Sequence, residues 1–202
     1  MLILLDQSGS MSSVREPAEK FLTALLEVLE RKGIDLQYGG FDDKYRLFKR
    51  FSHDPENPPK LSVTEKAALI ELVNRTGHGS THDTEAILRL LADAHKAGIN
   101  LPVRFIAVGI GNEGMEHVGA RYKRHVLVDP GNIDALPELL ATKLEEVMRD
   151  NPHSHIVIII TDGRGYGPAA GRLSEVLERA ETGGPAALLE DFKDDVLRSD
   201  LK

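Results

Sequence analysis

A chain of 202 residues, 41% of them hydrophobic and 28% charged, is long enough for one sizeable core and reads as a single domain over 1–202. With no Cys it has neither a disulfide framework nor a thiolate metal site, so a reducing, cytoplasmic setting is the expectation. A formal net charge of −7, 5% aromatic residues and no Trp argue against nucleic acid as a partner, and no apolar run is long enough to cross a membrane.

Residues 2–5 (Leu-Ile-Leu-Leu) form an apolar run that ends at once in Asp6-x-Ser8-x-Ser10. Such a run reads as a buried parallel strand breaking into a loop, and it is too short for the apolar core of a signal peptide. One carboxylate and two hydroxyls then sit on a tight turn at the strand's C-terminal end, where open α/β sheets bind ligands. An all-oxygen set with one carboxylate suits a hard divalent cation, Mg²⁺ first, with Mn²⁺ or Ca²⁺ as alternatives. The plainer alternative is a Ser/Gly-rich turn with no ligand, since these residues favour turns anyway.

Helical spacing runs from Val14 to Lys32, with Phe21, Leu22, Leu25, Leu26 and Leu29 on one face and Gly33 as the stop. Residues 34–41 and 45–51 read as a strand pair turned by Asp42-Asp43. Asp42, Asp43, Asp54 and Glu56 make an acidic cluster there, best explained as solvated turn residues. The stretch 53–60 holds three prolines and reads as loop, and Ser62-x-x-Glu65 is a capping box opening a helix to Arg75.

Next comes Thr76-Gly-His-Gly-Ser-Thr81-His-Asp-Thr-Glu-Ala, a Gly-rich loop that delivers a hydroxyl just before a helix over 84–97, with Asp83 or Thr84 as N-cap. His78 and His82 flank it; without Cys or a His-x-x-x-His pair they read as loop residues rather than zinc ligands.

Residues 103–109 form a further strand, followed by Gly109-x-Gly111-x-x-Gly114. That spacing formally matches a dinucleotide fingerprint. The sequence shows no convincing helix directly after it, and no acidic residue ending a following strand, so nucleotide binding there is not expected. A short strand near 125–128 and a helix over 133–149 precede the break at Asn151-Pro152.

The run His155-Ile-Val-Ile-Ile-Ile reads as another buried strand, and it too ends in a carboxylate and a glycine, Thr161-Asp162-Gly163. A helix to about 181 follows. Thr182-Gly-Gly-Pro185 then separates a final amphipathic helix over 186–200, more simply core than docking face. Alternating strands and helices give an α/β, doubly wound, mostly parallel sheet.

Asp6-x-Ser8-x-Ser10, the Gly-Ser-Thr81-x-x-x-x-Ala86 segment and Thr-Asp162-Gly together resemble the von Willebrand factor A (VWA) domain. The resemblance implies a Rossmann-like fold with a metal-ion-dependent adhesion site (MIDAS) held by Asp6, Ser8, Ser10, Thr81 and Asp162. A narrower likeness, to the VWA subunit of cobalt chelatase, rests on Phe105-Ile-Ala-Val-Gly-Ile-Gly, Tyr122-x-Arg-x-Val-x-Val-Asp129 and Leu136-x-x-Leu-x-x-Lys-Leu-x-x-Val. It implies a non-catalytic subunit whose partner is an AAA+ ATPase.

The chain departs from that family's usual order, because the Thr-Asp-Gly strand is displaced toward the C-terminus, behind the Gly-Ile-Gly strand. Either strand 156–161 still lies beside strand 2–5, or strand 103–109 takes that place and leaves Asp162 out of reach. The first is expected, since Asp-Gly matches the ligand-bearing strand end. The function implied is metal-dependent protein interaction through a partner's acidic side chain. Its rivals are Mg²⁺-dependent phosphoryl transfer with Asp6 as nucleophile, and a scaffold whose site is never filled.

Overall fold

The computed structural model describes residues 1–51, 62–64 and 79–194, with Glu113 described by its backbone alone. Six strands form one sheet: β1 (Leu2–Asp6), β2 (Gln37–Phe41), β3 (Tyr45–Lys49), β4 (Val103–Ile110), β5 (His125–Val128) and β6 (His155–Ile160). Their spatial order is β3-β2-β1-β6-β4-β5, antiparallel only between β2 and β3. Among the described residues five helices flank it: α1 (Arg15–Arg31), α2 (Asp83–Lys96), α3 (Gly111–Arg121), α4 (Leu136–Asp150) and α5 (Leu173–Asp191). The expected doubly wound α/β architecture is therefore the observed one.

The central strands are apolar because both of their faces are covered. In β1, Ile3 and Leu5 pack with α1 and α4, while Leu2 and Leu4 pack with α2 and α5. In β6 the split is Ile156, Ile158 and Ile160 against Val157 and Ile159. The predicted stripe of α1 buries Phe21, Leu22, Leu26 and Leu29 on the first face. On the second, Ile87, Leu90 and Leu91 of α2 meet Val176, Ala180 and Leu188 of α5.

The strand displaced in sequence is not displaced in space. The chain runs from α2 to β4 without entering the slot beside β1, continues through α3 to the edge strand β5, and returns by α4 to lay β6 in that slot. Leu4 then faces Ile159, and Phe105 of β4 faces Val157. Of the two placements open to the sequence, this is the one that brings Asp162 next to Asp6.

Several elements differ from their sequence expectation. A helix, α3, opens directly at Gly111, where only a polar segment is expected. Asp83 and Thr84 do not cap α2; His82 holds the N-cap position without a side-chain bond, and Asp83 lies inside the helix. The break before the last helix is present, at Gly184, where φ is +72° and an added Cβ would come within 2.7 Å of the Asn100 carbonyl oxygen. Leu188 and Phe192 beyond it are buried, so that segment is core as far as it is described. The predicted helix 62–75, apart from 62–64, and the residues beyond 194 lie outside the described residues. No helix among the described residues is long and apolar enough to cross a membrane.

Candidate metal centre

β1 ends in a turn closed by its own first polar residue: the Ser8 N–H donates to Asp6 Oδ1 at 2.9 Å. This is the local bond Asp makes to the backbone two residues on. A short 3-10 turn, Gly9–Ser13, then presents Ser10, whose hydroxyl lies 2.9 Å from that of Ser8. The Thr81 hydroxyl reaches in from the loop before α2, donating to Ser8 Oγ at 3.0 Å and lying 3.4 Å from Asp162 Oδ1. At the end of β6 the Thr161 hydroxyl donates to Asp6 Oδ2 at 2.8 Å, and the Arg164 N–H to Asp162 Oδ1 at 3.0 Å. The five predicted oxygen donors thus converge on one place from β1, the Thr81 loop and β6.

The place is short of positive charge. Asp6 and Asp162 are each only 2% exposed, and neither pairs with a Lys, Arg or His among the described residues. Burial, reinforced by the neighbouring Asp162 charge, pushes the Asp6 carboxyl up to about 7 despite bonds from Ser8 and Thr161. Asp162 Oδ2 is buried with no hydrogen-bond partner among the described residues. An orphaned buried acceptor costs about 1–3 kcal/mol, more when charged. Two buried carboxylates, one of them with an orphaned oxygen, and three hydroxyls fit a hard divalent cation. Among the described residues no group of three or more His, Asp or Glu gathers to hold a metal, so this candidate differs in being built largely from hydroxyls.

A second network, missed in the sequence, braces the first. Asp83 is fully buried and takes both Nη atoms of Arg121, at 2.6 and 3.2 Å, together with the Tyr122 hydroxyl at 2.7 Å. Arg121 Nη1 also donates to the Gly163 carbonyl at 2.9 Å. One guanidinium at the end of α3 therefore ties the start of α2, just behind Thr81, to the residue after Asp162. Three further bonds fasten the surrounding loops: Gly9 N–H to the Gly79 carbonyl (3.2 Å), His82 N–H to the Asp42 carbonyl (2.9 Å) and Ala169 N–H to Glu85 Oε1 (2.9 Å). Asp83 is visible in the sequence only as a cap candidate, and nothing local marks Arg121, because their pairing depends on tertiary placement.

The acidic cluster needs a correction. Asp42 is not a solvated turn residue: it is 3% exposed, accepts the Lys44 N–H at 2.9 Å and pairs with Arg46 at 3.0 Å. Burial pushes its carboxyl up, but the Arg46 and Lys44 bonds outweigh that and leave it below its ordinary value. Asp54, Glu56 and His78 lie outside the described residues.

The glycine motif also stands differently. Both grounds for setting it aside fail, since α3 opens directly after β4 and Asp129 does follow the parallel strand β5. The turn is nonetheless occupied by the protein itself. A Cβ on Gly111, where φ is +83°, would meet Val14 Cγ1 at 3.0 Å and Pro130 Cγ at 3.6 Å. Gly109 and Gly114 touch backbone to backbone, a Cβ on Gly109 falling 2.6 Å from the Gly114 carbonyl oxygen. The glycines seat α3 on β4 instead of leaving bare backbone for a phosphate.

Compared with protein-family models and with curated proteins, the chain matches none. Among solved structures, one described as von Willebrand factor type A from Catenulispora acidiphila aligns over 98% of this chain and 42% of its own, with a TM-score of 0.43 and 16% identity. The chain thus spans about two fifths of the length of that solved chain.

Proposed function

We propose that the chain is a metal-dependent protein-interaction module, a MIDAS-type site of the VWA kind. Asp6, Ser8, Ser10, Thr81 and Asp162 would hold Mg²⁺, or Mn²⁺ or Ca²⁺ in its place. The observation that carries this reading is the convergence of Asp6, Ser8, Ser10, Thr81 and Asp162 from three segments, with Asp162 Oδ2 buried and without a hydrogen-bond partner among the described residues. When bound, the ion supplies a Lewis-acidic open position for an outside oxygen ligand. Two carboxylates formally balance the ion's charge and three donors are neutral, so five oxygens leave one of the six positions Mg²⁺ prefers open to an outside oxygen. The ligand that best completes such a site is an acidic side chain of a partner protein.

The chain's own residues divide the work. Asp6 supplies charge from the floor, fixed by Ser8 and Thr161. Ser8, Ser10 and Thr81 orient neutral oxygens. Arg121 keeps the Asp162 loop against α2. By the narrower sequence likeness, the partner proposed is an AAA+ ATPase in a chelatase-like assembly, in a cytoplasmic setting.

Phosphoryl transfer with Asp6 as nucleophile is the weaker reading. Both Asp6 oxygens already accept hydrogen bonds and the carboxylate is buried, a poor start for in-line attack. Ser8, two residues on, is no general acid near neutral pH. Isothermal titration of Mg²⁺ and Mn²⁺ into the chain and into Asp6→Ala tests the proposal: one site is expected in the first and none in the second. Absence of a site in the unsubstituted chain, or its survival in the variant, would overturn the reading. Turnover of an aryl phosphate that Asp6→Asn abolishes would favour the enzyme.

A further inference from the structure

Against the five oxygens lies a cavity of about 460 Å³, within the range of small-ligand pockets. Ser10 and Asp162 belong to both; Val14, Ile110 and Pro130 give the cavity an apolar wall, and Asp129 a second carboxylate. Since β6, β4 and β5 are consecutive in the sheet, the strand ends carrying Asp162 and Asp129 are two strand spacings apart, about 10 Å.

Charge decides what this cavity suits. Among the described residues no Lys or Arg lines it. The N-terminus of α3 at Gly111 brings roughly half a positive charge, less than one carboxylate removes. Asp162 would be committed to the ion, whereas Asp129 is committed only to its own turn, where Oδ1 accepts the Gly131 N–H at 2.8 Å. A carboxylate at the end of an apolar wall suits a side chain with a hydrocarbon stem and a cationic tip. A nucleotide suits it less, because Val14 and Pro130 crowd the glycine turn and, among the described residues, no Lys or Arg lines the cavity to take the phosphates.

We propose that this cavity receives a Lys or Arg side chain of the same partner whose carboxylate reaches the ion, its stem along Val14, Ile110 and Pro130 and its cation on Asp129. The partner's recognition element is then an acidic and a basic residue presented side by side. The acidic half rests on the metal reading; the basic half rests on the cavity alone.

The test uses n-butylguanidinium as probe, followed by amide NMR on the whole chain with and without Mg²⁺. Saturable shifts are expected at Gly111, Asn112 and Gly131 in both states. Asp129→Asn keeps an oxygen for the Gly131 N–H, so an unchanged melting temperature is expected. It should weaken the probe about fivefold, the upper range for an exposed ion pair. In a second arm, short Glu peptides carry Arg one to four positions away on either side, each paired with an Ala counterpart. At least one Arg peptide should bind the Mg²⁺-loaded chain about fivefold tighter than its counterpart, and Asp129→Asn should erase that margin.

No saturable shift, equal binding by Asp129→Asn, a margin that survives it, or ADP saturating the same amides would overturn the proposal. The two readings fail separately. If Mg²⁺ does not bind while the guanidinium still does, the metal reading falls and the pocket stands. If Mg²⁺ and Glu peptides bind while the guanidinium does not, the pocket falls alone.

Discussion

Asp6 and Asp162 hold opposite ends of one electrostatic problem, and solution pH gives a way to read it. In the metal-free protein the Asp6 carboxyl sits near 7, against an ordinary 3.8, because burial and the Asp162 charge both disfavour its ionised form. A raised folded-state value means the contribution to stability is full below about 4 and is lost as pH rises through about 7. The urea midpoint of the metal-free chain should therefore fall between pH 5 and pH 8, and Asp6→Asn should flatten that fall. Saturating Mg²⁺ should oppose it, since the ion replaces the proton, so the Mg²⁺-induced gain in midpoint should grow with pH. At a hundredfold excess over Kd the gain is about 2.7 kcal/mol. A gain independent of pH would show that the ion does not compete with a proton on this carboxylate.

Among the elements, α3 does the most that the sequence does not announce. It carries Gly111, Gly114 and Gly119 within eleven residues, a composition that argues against a helix when read locally. It forms because Gly114 lets it close onto Gly109 of β4, a contact that exists only once the sheet does. Its last residue, Arg121, then clamps Asp83. Arg121→Met should leave that carboxylate buried without its cation and cost about 3–5 kcal/mol in urea denaturation. It should also lower Mg²⁺ affinity, because the Gly163 carbonyl loses its tether. Equal Mg²⁺ affinity in a folded Arg121→Met variant would reduce the clamp to a purely structural role.

The same contrast separates what could be read in advance from what could not. Strand ends bearing Asp6, Ser8, Ser10 and Asp162 were legible, because an apolar run that stops at a carboxylate carries fold and chemistry in adjacent letters. Thr81 was legible from its Gly-rich approach, and the Gly184 break from Gly-Gly-Pro. Asp83–Arg121 was not, since the two lie 38 residues apart, and neither the burial of Asp42 nor the helix at Gly111 was, since packing against the rest of the fold decides both.

For the molecule as a whole the decisive fact is the slot filled by β6, with β1 on one side and β4 on the other. Hydrogen exchange should find the Val157–Ile160 amides the slowest in the chain and those of the edge strands β3 and β5 faster. Ile158→Ala, fully buried at the middle of that strand, should cost about 2–5 kcal/mol. Exchange of β6 as rapid as that of β3 would contradict the observed strand order.

This threading has a consequence for how the protein is made. A nascent chain that has emerged from the ribosome only as far as α4 already carries Asp6, Ser8, Ser10 and Thr81. It lacks the strand that separates β1 from β4, and with it the second carboxylate. A metal site held by these residues would therefore be completed only when β6, the last of the described strands in chain order, has been made. In the function proposed, competence to recruit a partner would arrive with the closing of the sheet, and a chain made only as far as α4 would have no finished hook with which to capture one early.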